Sequence, residues 1–294
     1  MRRTQPTLSL LAFFFGAAVV SACDLSFEPY GYVRALSVIA IAAEPPEAAP
    51  GQSSTVTALV HDPAGRTIDR AWAACTLAPV AGTGDDVNPR CVTEAEAPFL
   101  VPAGADERAT VTMPLVSPLD LGLPDFTDGF YLPVRLVVRA DAARVTAFYR
   151  LRYGLFPASA NRNPVIEDLH AASAPLADGT EVARDAEMKM RVVYAEGSVE
   201  KFQVVDQGAT SVEDLMSGDR SRIKFLDRTE QLRTRWLATA GAFDPEVTNP
   251  ERPETTWKLK EKPPSAPGPV HLWVVVRDDR GGVAWTHRTL TLKP

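Results

Sequence analysis

The 294-residue sequence predicts an all-β protein made of two tandem β-sandwich domains, on three observations. Val, Thr and aromatic residues fall in short runs between clusters of Pro, Gly and Asp, the pattern of strands and turns. No segment sustains a clean helical period. The two halves of the chain end on similar hairpins: LVVRADAARVTAFYRL at 136–151 lines up with VVVRDDRGGVAWTHRT at 274–289. The match pairs Val137 with Val275, Val138 with Val276, Arg139 with Arg277, Asp141 with Asp279, Val145 with Val283 and Arg150 with Arg288.

Residues 1–22 read as an export signal. Arg2 and Arg3 give a positive start, Leu8 to Val20 an apolar run, and Ser21 and Ala22 a small-residue cleavage site. The 13-residue run is shorter than the about 20 residues a membrane-spanning helix needs. Val20-Ser21-Ala22-Cys23 resembles the lipobox of bacterial lipoproteins, with Val20 where Leu is usual. The resemblance implies that Cys23 is lipidated and becomes the first mature residue, held by two or three acyl chains as stable anchoring requires. The alternative is an ordinary secretory signal that contains a cysteine.

A tether, residues 23–33, leads into the first domain, residues 34–153. Its strand signals are VRALSVIAIAAEPP, SSTVTALVHDP, IDRAWAACTL, ERATVTMPLV, YLPVRLVVRA and RVTAFYRLRY. Residues 78–106 read as a long polar excursion. Residues 154–163 read as a linker, and the second domain spans residues 164–294. Its strands are PVIEDLHAAS, EMKMRVVYAE, KFQVVDQG, LRTRWLATAGAF, TTWKL, VHLWVVVRDD and GVAWTHRTLTL, with a charged insertion at 206–230 that has room for a short helix. Val134, Leu136 and Val138 share one strand face, as do Leu272, Val274 and Val276. Trp236 and Trp257 are expected to fill the space between two sheets. Gly281-Gly282 supplies positive φ for the last turn; the first hairpin has Ala143-Arg144 there, so its turn must differ.

With Cys23 acylated, Cys75 and Cys91 remain, and an even pair in an exported chain reads as a disulfide. It would close a 15-residue loop, restricting the unfolded chain by about 3 kcal/mol. The two lie too close in sequence for the inter-sheet bond of an antibody domain.

The stretch RWLATAGAFDPEVTNP, then TTWKL, then GPVHLWVVVRDDRGGVAW resembles the Ig-like and PKD-type β-sandwich modules of bacterial surface proteins. AEPPEAAPGQSSTVTALVHDPAG resembles the start of another such module. The resemblance implies the sandwich fold and is nearly silent on function, because such sandwiches host many roles.

Motifs for chemistry are absent. His61, His170, His271 and His287 are scattered, without zinc spacing; the last hairpin is expected to set His271 opposite His287, a pair more often structural than metal-binding. No nucleophile elbow, phosphate loop or dinucleotide fingerprint occurs, and Ser211 and Ser265 sit in ordinary loop sequence. Asp85-Asp86 and Asp278-Asp279 read as solvated turn aspartates rather than calcium ligands. Glu94 and Glu96 would suit glycoside chemistry only within a cleft. The net charge of −6 becomes −8 once the two signal arginines are removed, leaving no footprint for nucleic acid. The expectation is a non-catalytic lipoprotein without cofactor or metal. Its lipid holds it to an inner or outer envelope membrane, and its loops at 78–106 and 206–230 meet a protein or glycan. The alternatives are an envelope-polymer hydrolase and a structural spacer.

Overall fold

The computed structural model describes residues 30–78, 80, 87–95, 97–115, 131–153, 161–206, 208–211, 213–214, 221–261 and 268–293. The first half contains β1 (Ser37–Glu44), β2 (Glu47–Ala48), β3 (Ser53–His61), β4 (Asp69–Cys75), α1 (Pro89–Thr93), β5 (Leu100–Gly104), β6 (Arg108–Thr112), β7 (Tyr131–Ala140) and β8 (Ala143–Tyr153). These build a three-stranded sheet in the order β1-β3-β6 and a five-stranded sheet in the order β2-β8-β7-β4-β5. Ile41, Val56, Ala58, Trp72, Val134, Leu136 and Val138 belong to the larger hydrophobic core of this half.

The second half contains β9 (Ile166–Ala171), β10 (Ala174–Pro175), β11 (Glu181–Val182), β12 (Glu187–Tyr194), β13 (Lys201–Val205), β14 (Phe225–Thr229), β15 (Arg233–Ala238), β16 (Ala242–Asp244), β17 (Val247–Thr248), β18 (Glu254–Lys258), β19 (Pro269–Arg277) and β20 (Val283–Leu292). One sheet runs β10-β9-β12-β18-β16 and the other β11-β20-β19-β15-β17. Trp236 comes from the second sheet and Trp257 from the first, and both are fully buried in the shared core. Phe243 lies between them, its ring centroid 5.9 Å from each. The all-β expectation holds, and the tryptophans fill the space expected of them.

Three local readings need correction. LRTRWLATAGAF is two strands, not one: β15 ends at Ala238 and β16 resumes in the opposite sheet. Gly241 sits between them at φ +76°, in the left-handed region that glycine adopts readily. Within the insertion, 225–229 is a strand that pairs with β13 as a two-stranded ribbon. Within the polar excursion, 100–104 is a strand paired with β4, and 89–93 forms α1.

Strand β19 is apolar on both faces because both faces are covered. Leu272 and Val274 join the core of the second half, while Trp273 and Val275 join the core of the first. Leu237 and Val283 cross over with them. The outer face of the β11-β20-β19-β15-β17 sheet is thus buried against the first half rather than solvated, which explains the continuous run LWVVV where one buried face would require alternation.

The segment before β1 also lies on the second half. Val33 N–H donates to the Ala238 carbonyl at 2.8 Å, and Ala238 N–H donates to the Gly31 carbonyl at 2.9 Å. A side chain at position 31 would collide with the Trp236 carbonyl, so only glycine allows this approach. Tyr149 and Val283 then mark the line along which the two halves meet.

Candidate functional site

The site grows from the turn of the final hairpin, residues 278–282. Arg277 pairs with Val283, leaving five residues to turn the chain. Asp278 closes the turn: one carboxylate oxygen accepts the N–H groups of Arg280 at 2.8 Å and Gly282 at 2.7 Å. The other accepts the Asn161 amide at 3.2 Å. Gly281 has φ +102°, and a side chain at Gly282 would strike the Asp278 carboxylate. The first hairpin differs as expected: Ala140 pairs with Ala143, and a two-residue turn places Asp141 at φ +50°. Asp278 is therefore not a solvated turn aspartate but a buried one. Burial raises its pKa, opposed by the N–H groups and by the Arg280 charge.

That turn projects Arg280 into a buried ion cluster. Its guanidinium lies 3.1 Å from Glu47 of the first half and 3.3 Å from Glu230, with Glu200 at 3.9 Å. It also stacks 4.6 Å above the Phe202 ring. Glu230 is pushed up to about 7, first by burial and then by the neighbouring Asp278 and Glu200 charges, against the Glu200 N–H and Arg280. The end of the expected linker reinforces the junction. Asn163 donates to the Ala43 carbonyl at 2.8 Å and accepts the Val283 N–H at 2.8 Å.

Beside this junction opens a cleft of about 670 Å³. Residues 38–41 of β1 and 147–150 of β8 form one wall; residues 233–235 of β15 and 277–279 and 281–283 of the last hairpin form the other. Arg233 stands directly opposite Arg277 across the β15–β19 ladder. Arg235 lies two residues along, stacked 3.9 Å over Tyr30, and Arg150 stacks 4.0 Å over Tyr131. Burial lowers the Arg277 pKa, and the Arg235 charge lowers it further. Like charges placed opposite each other in a ladder are destabilising. Among the described residues, Arg233, Arg235 and Arg277 have no carboxylate partner within ion-pair distance.

A second polar cluster also lies where the halves meet. The His61 ring sits 5.0 Å from His271 and 4.7 Å from Trp273. His271 Nδ1 and His287 Nε2 are 3.2 Å apart, so the last hairpin does bring those two together. All three imidazoles are shifted down, chiefly by burial, and His61 falls to about 4. Among the described residues, no group of three or more His, Cys, Asp or Glu side chains is arranged to hold a metal ion.

Cys75 and Cys91 are bonded, with Cα atoms 6.1 Å apart, and tie β4 to α1. Both are fully buried beside Ala73 and Leu100. Arg135 of β7 completes this corner. Its guanidinium donates to the carbonyls of Cys91 at 3.0 Å, Glu94 at 2.6 Å and Ala95 at 3.1 Å, satisfying the end of α1. The 78–106 region is in this part a packed corner, not a free loop.

Cys23, Asp85, Asp86, Glu96 and Ser265 lie outside the described residues. Ser211 donates to Asp214 at 2.6 Å. His170 meets Asp168 at 3.2 Å. The sequence reading missed the cleft arginines and the Arg280 cluster. Arg233 and Arg235 flanking a buried Thr234 were visible as a signal, but only the strand order sets them against Arg277.

No family model matches the chain. No curated protein matches it. Among solved structures, the chain is similar to a crystal structure of Drosophila N-cadherin EC1-4, at 10% identity and a TM-score of 0.20. The likeness covers 87% of this chain and spans about half, 50%, of the cadherin chain.

Proposed function

We propose that this chain is a non-catalytic bacterial lipoprotein, held at the cell envelope by a lipid on Cys23, whose tandem Ig-like or PKD-type modules bind a protein or glycan partner. The observation that carries the reading is the cleft between the halves, walled by residues from both and framed by the Arg280 cluster. A junction locked by buried ion pairs and a shared core holds such a cleft in one shape, and preorganisation favours binding. The lipobox-like Val20-Ser21-Ala22-Cys23 supports the anchor. Glu230 has a pKa of the kind a general acid needs, but its side chain is 1% exposed and engaged with Arg280, which favours a structural role over hydrolysis.

The test is crosslinking in cells with a C-terminally tagged full-length chain, compared with Cys23→Ala. The expected result is one dominant partner, captured by the native chain and lost when Cys23→Ala leaves the membrane. A variant that still fractionates with membranes and still takes up a labelled fatty acid overturns the anchor. A native chain that captures nothing above background overturns the binding role and favours a spacer.

A further inference from the structure

We propose that the junction cleft binds the phosphate group of an organic phosphate, held between Arg233, Arg235 and Arg277. This rests on the binding role proposed above and names the chemical group that the cleft takes.

The three arginines are cations without a counter-charge. They stand on the same face of the β15–β19 ladder as Leu237, Trp273 and Val275, which are buried against the first half. The face thus passes from apolar side chains inside the interface to guanidinium groups where it opens into the cleft. Close by, Arg280 meets Glu47 and Glu230, and Arg152 meets Glu47. Arg233, Arg235 and Arg277 form neither an ion pair nor a side-chain hydrogen bond among the described residues. Arg235 and Arg277 are half-buried, and a covered charge without a partner is costly.

The internal repeat sharpens the contrast. In the first half Trp72 pairs with Leu136, and Asp69 pairs with Arg139 three residues along the ladder. In the second half Trp236 pairs with Val274, and Arg233 pairs with Arg277 at the same offset. The first half sets an acid opposite its arginine; the second sets an arginine there. That exchange turns a favourable cross-strand pair into a like-charge one. An anion seated between the two guanidinium groups restores the attraction.

Charge and room select the anion. With Arg150, four arginines line the cleft against two aspartates, an excess of two positive charges. A phosphomonoester carries about −1.5 to −2 and three acceptor oxygens, where a carboxylate offers one charge and two oxygens. Guanidinium forks hold phosphate bidentately. The volume of about 670 Å³ lies within the roughly 300–1,000 Å³ of small-ligand pockets, far more than one phosphate group fills. Tyr131, Phe148 and Val247 also line it, giving apolar surface to the organic part. A lipid headgroup and a soluble phosphate ester share this chemistry.

The experiment is isothermal titration calorimetry on the full-length chain in detergent micelles, in phosphate-free buffer at neutral pH. Glycerol phosphate should bind at one site, at least tenfold more tightly than glycerate or citrate. Tighter binding of dihexanoyl phosphatidic acid assigns the site to a lipid headgroup; tighter binding of glycerol phosphate assigns it to a soluble ester. Arg233 is exposed, so its replacement spares the core. Arg233→Asp copies the Asp69–Arg139 arrangement, and should weaken binding at least tenfold while unfolding at the native temperature or higher. Arg191→Gln, at an exposed arginine of β12 outside the cleft, should bind as the native chain does. Unchanged affinity in Arg233→Asp, or citrate binding as tightly as the phosphate, overturns the proposal. A lower unfolding temperature in Arg233→Asp overturns it too, because Arg233 would then be stabilising without a ligand. If no phosphate ester binds while crosslinking in cells still captures a partner, the phosphate site falls and the anchored-binder reading stands; if neither occurs, both fall.

Discussion

Replacing Arg280 by Met tests the junction most directly. Arg280 is 3% exposed, Glu47 7% and Glu230 1%, so the cluster is desolvated as a whole. Met keeps the apolar stem against Phe202 and removes only the charge. Removing one partner of a buried ion pair costs about 3–5 kcal/mol, because the other charge stays buried. Glu230 can escape by taking up a proton, so the cost must depend on pH. With Arg280 present, Glu230 already stands at about 7 against an ordinary 4.5. That difference corresponds to roughly 3 kcal/mol in favour of the neutral carboxyl. A carboxyl raised in the folded state contributes stability that is complete below its unfolded pKa and is lost as pH rises through the folded one. At pH 8 Arg280→Met should therefore cost about 3–5 kcal/mol. At pH 5, where Glu230 is neutral, the cost should fall to about 1–2 kcal/mol, the scale of lost hydrogen bonds. Urea unfolding of the full-length chain at both pH values, followed by tryptophan fluorescence, measures both costs. Equal losses at the two pH values, or a loss below about 1 kcal/mol at pH 8, would refute the reasoning.

Other outcomes follow from the same geometry. His61 is shifted from 6.5 to about 4, so its contribution to stability is complete above 6.5 and declines as pH falls toward 4. With Asp62 held by Arg66, and Asp178 and Arg288 near His287, the effect after solvent screening should be about 1–2 kcal/mol. His61→Phe should therefore gain that much relative to the native chain between pH 7 and pH 5, and an unchanged difference on urea titration would contradict it. Cys75→Ser with Cys91→Ser should lower stability by about 3 kcal/mol, checked by the urea midpoint. Arg135→Met should cost about 2–3 kcal/mol by leaving the α1 carbonyls buried without a donor, and should speed proteolysis around residues 89–95. Gly282→Ala should disrupt the last turn and expose Trp285, read as a red shift in fluorescence.

Much of the architecture was legible in order along the chain. Alternating Val56 and Ala58, the paired terminal hairpins and the Cys75–Cys91 spacing depend on neighbours within a few residues or on compartment chemistry, so sequence alone could place them. Short elements were missed for the opposite reason. β5, LVPAG, contains Pro and Gly, β14, FLDRT, is largely exposed and charged, and only a partner strand makes them strands. Arg135 looked like one charge among many in YLPVRLVVRA until α1 placed three carbonyls around it.

The sequence by itself determined that this is a strand-and-turn protein in two halves, with Trp72 in the first and Trp236 and Trp257 in the second, because periodicity and turn chemistry are local. Only the tertiary structure decided that the halves share a core and a cleft. Glu47 and Arg280 lie 233 positions apart, and Arg233 and Arg277 meet through strand pairing. Which face of β19 meets which half is an outcome of packing: LWVVV is apolar on both sides, so its pattern reports burial without naming the neighbour.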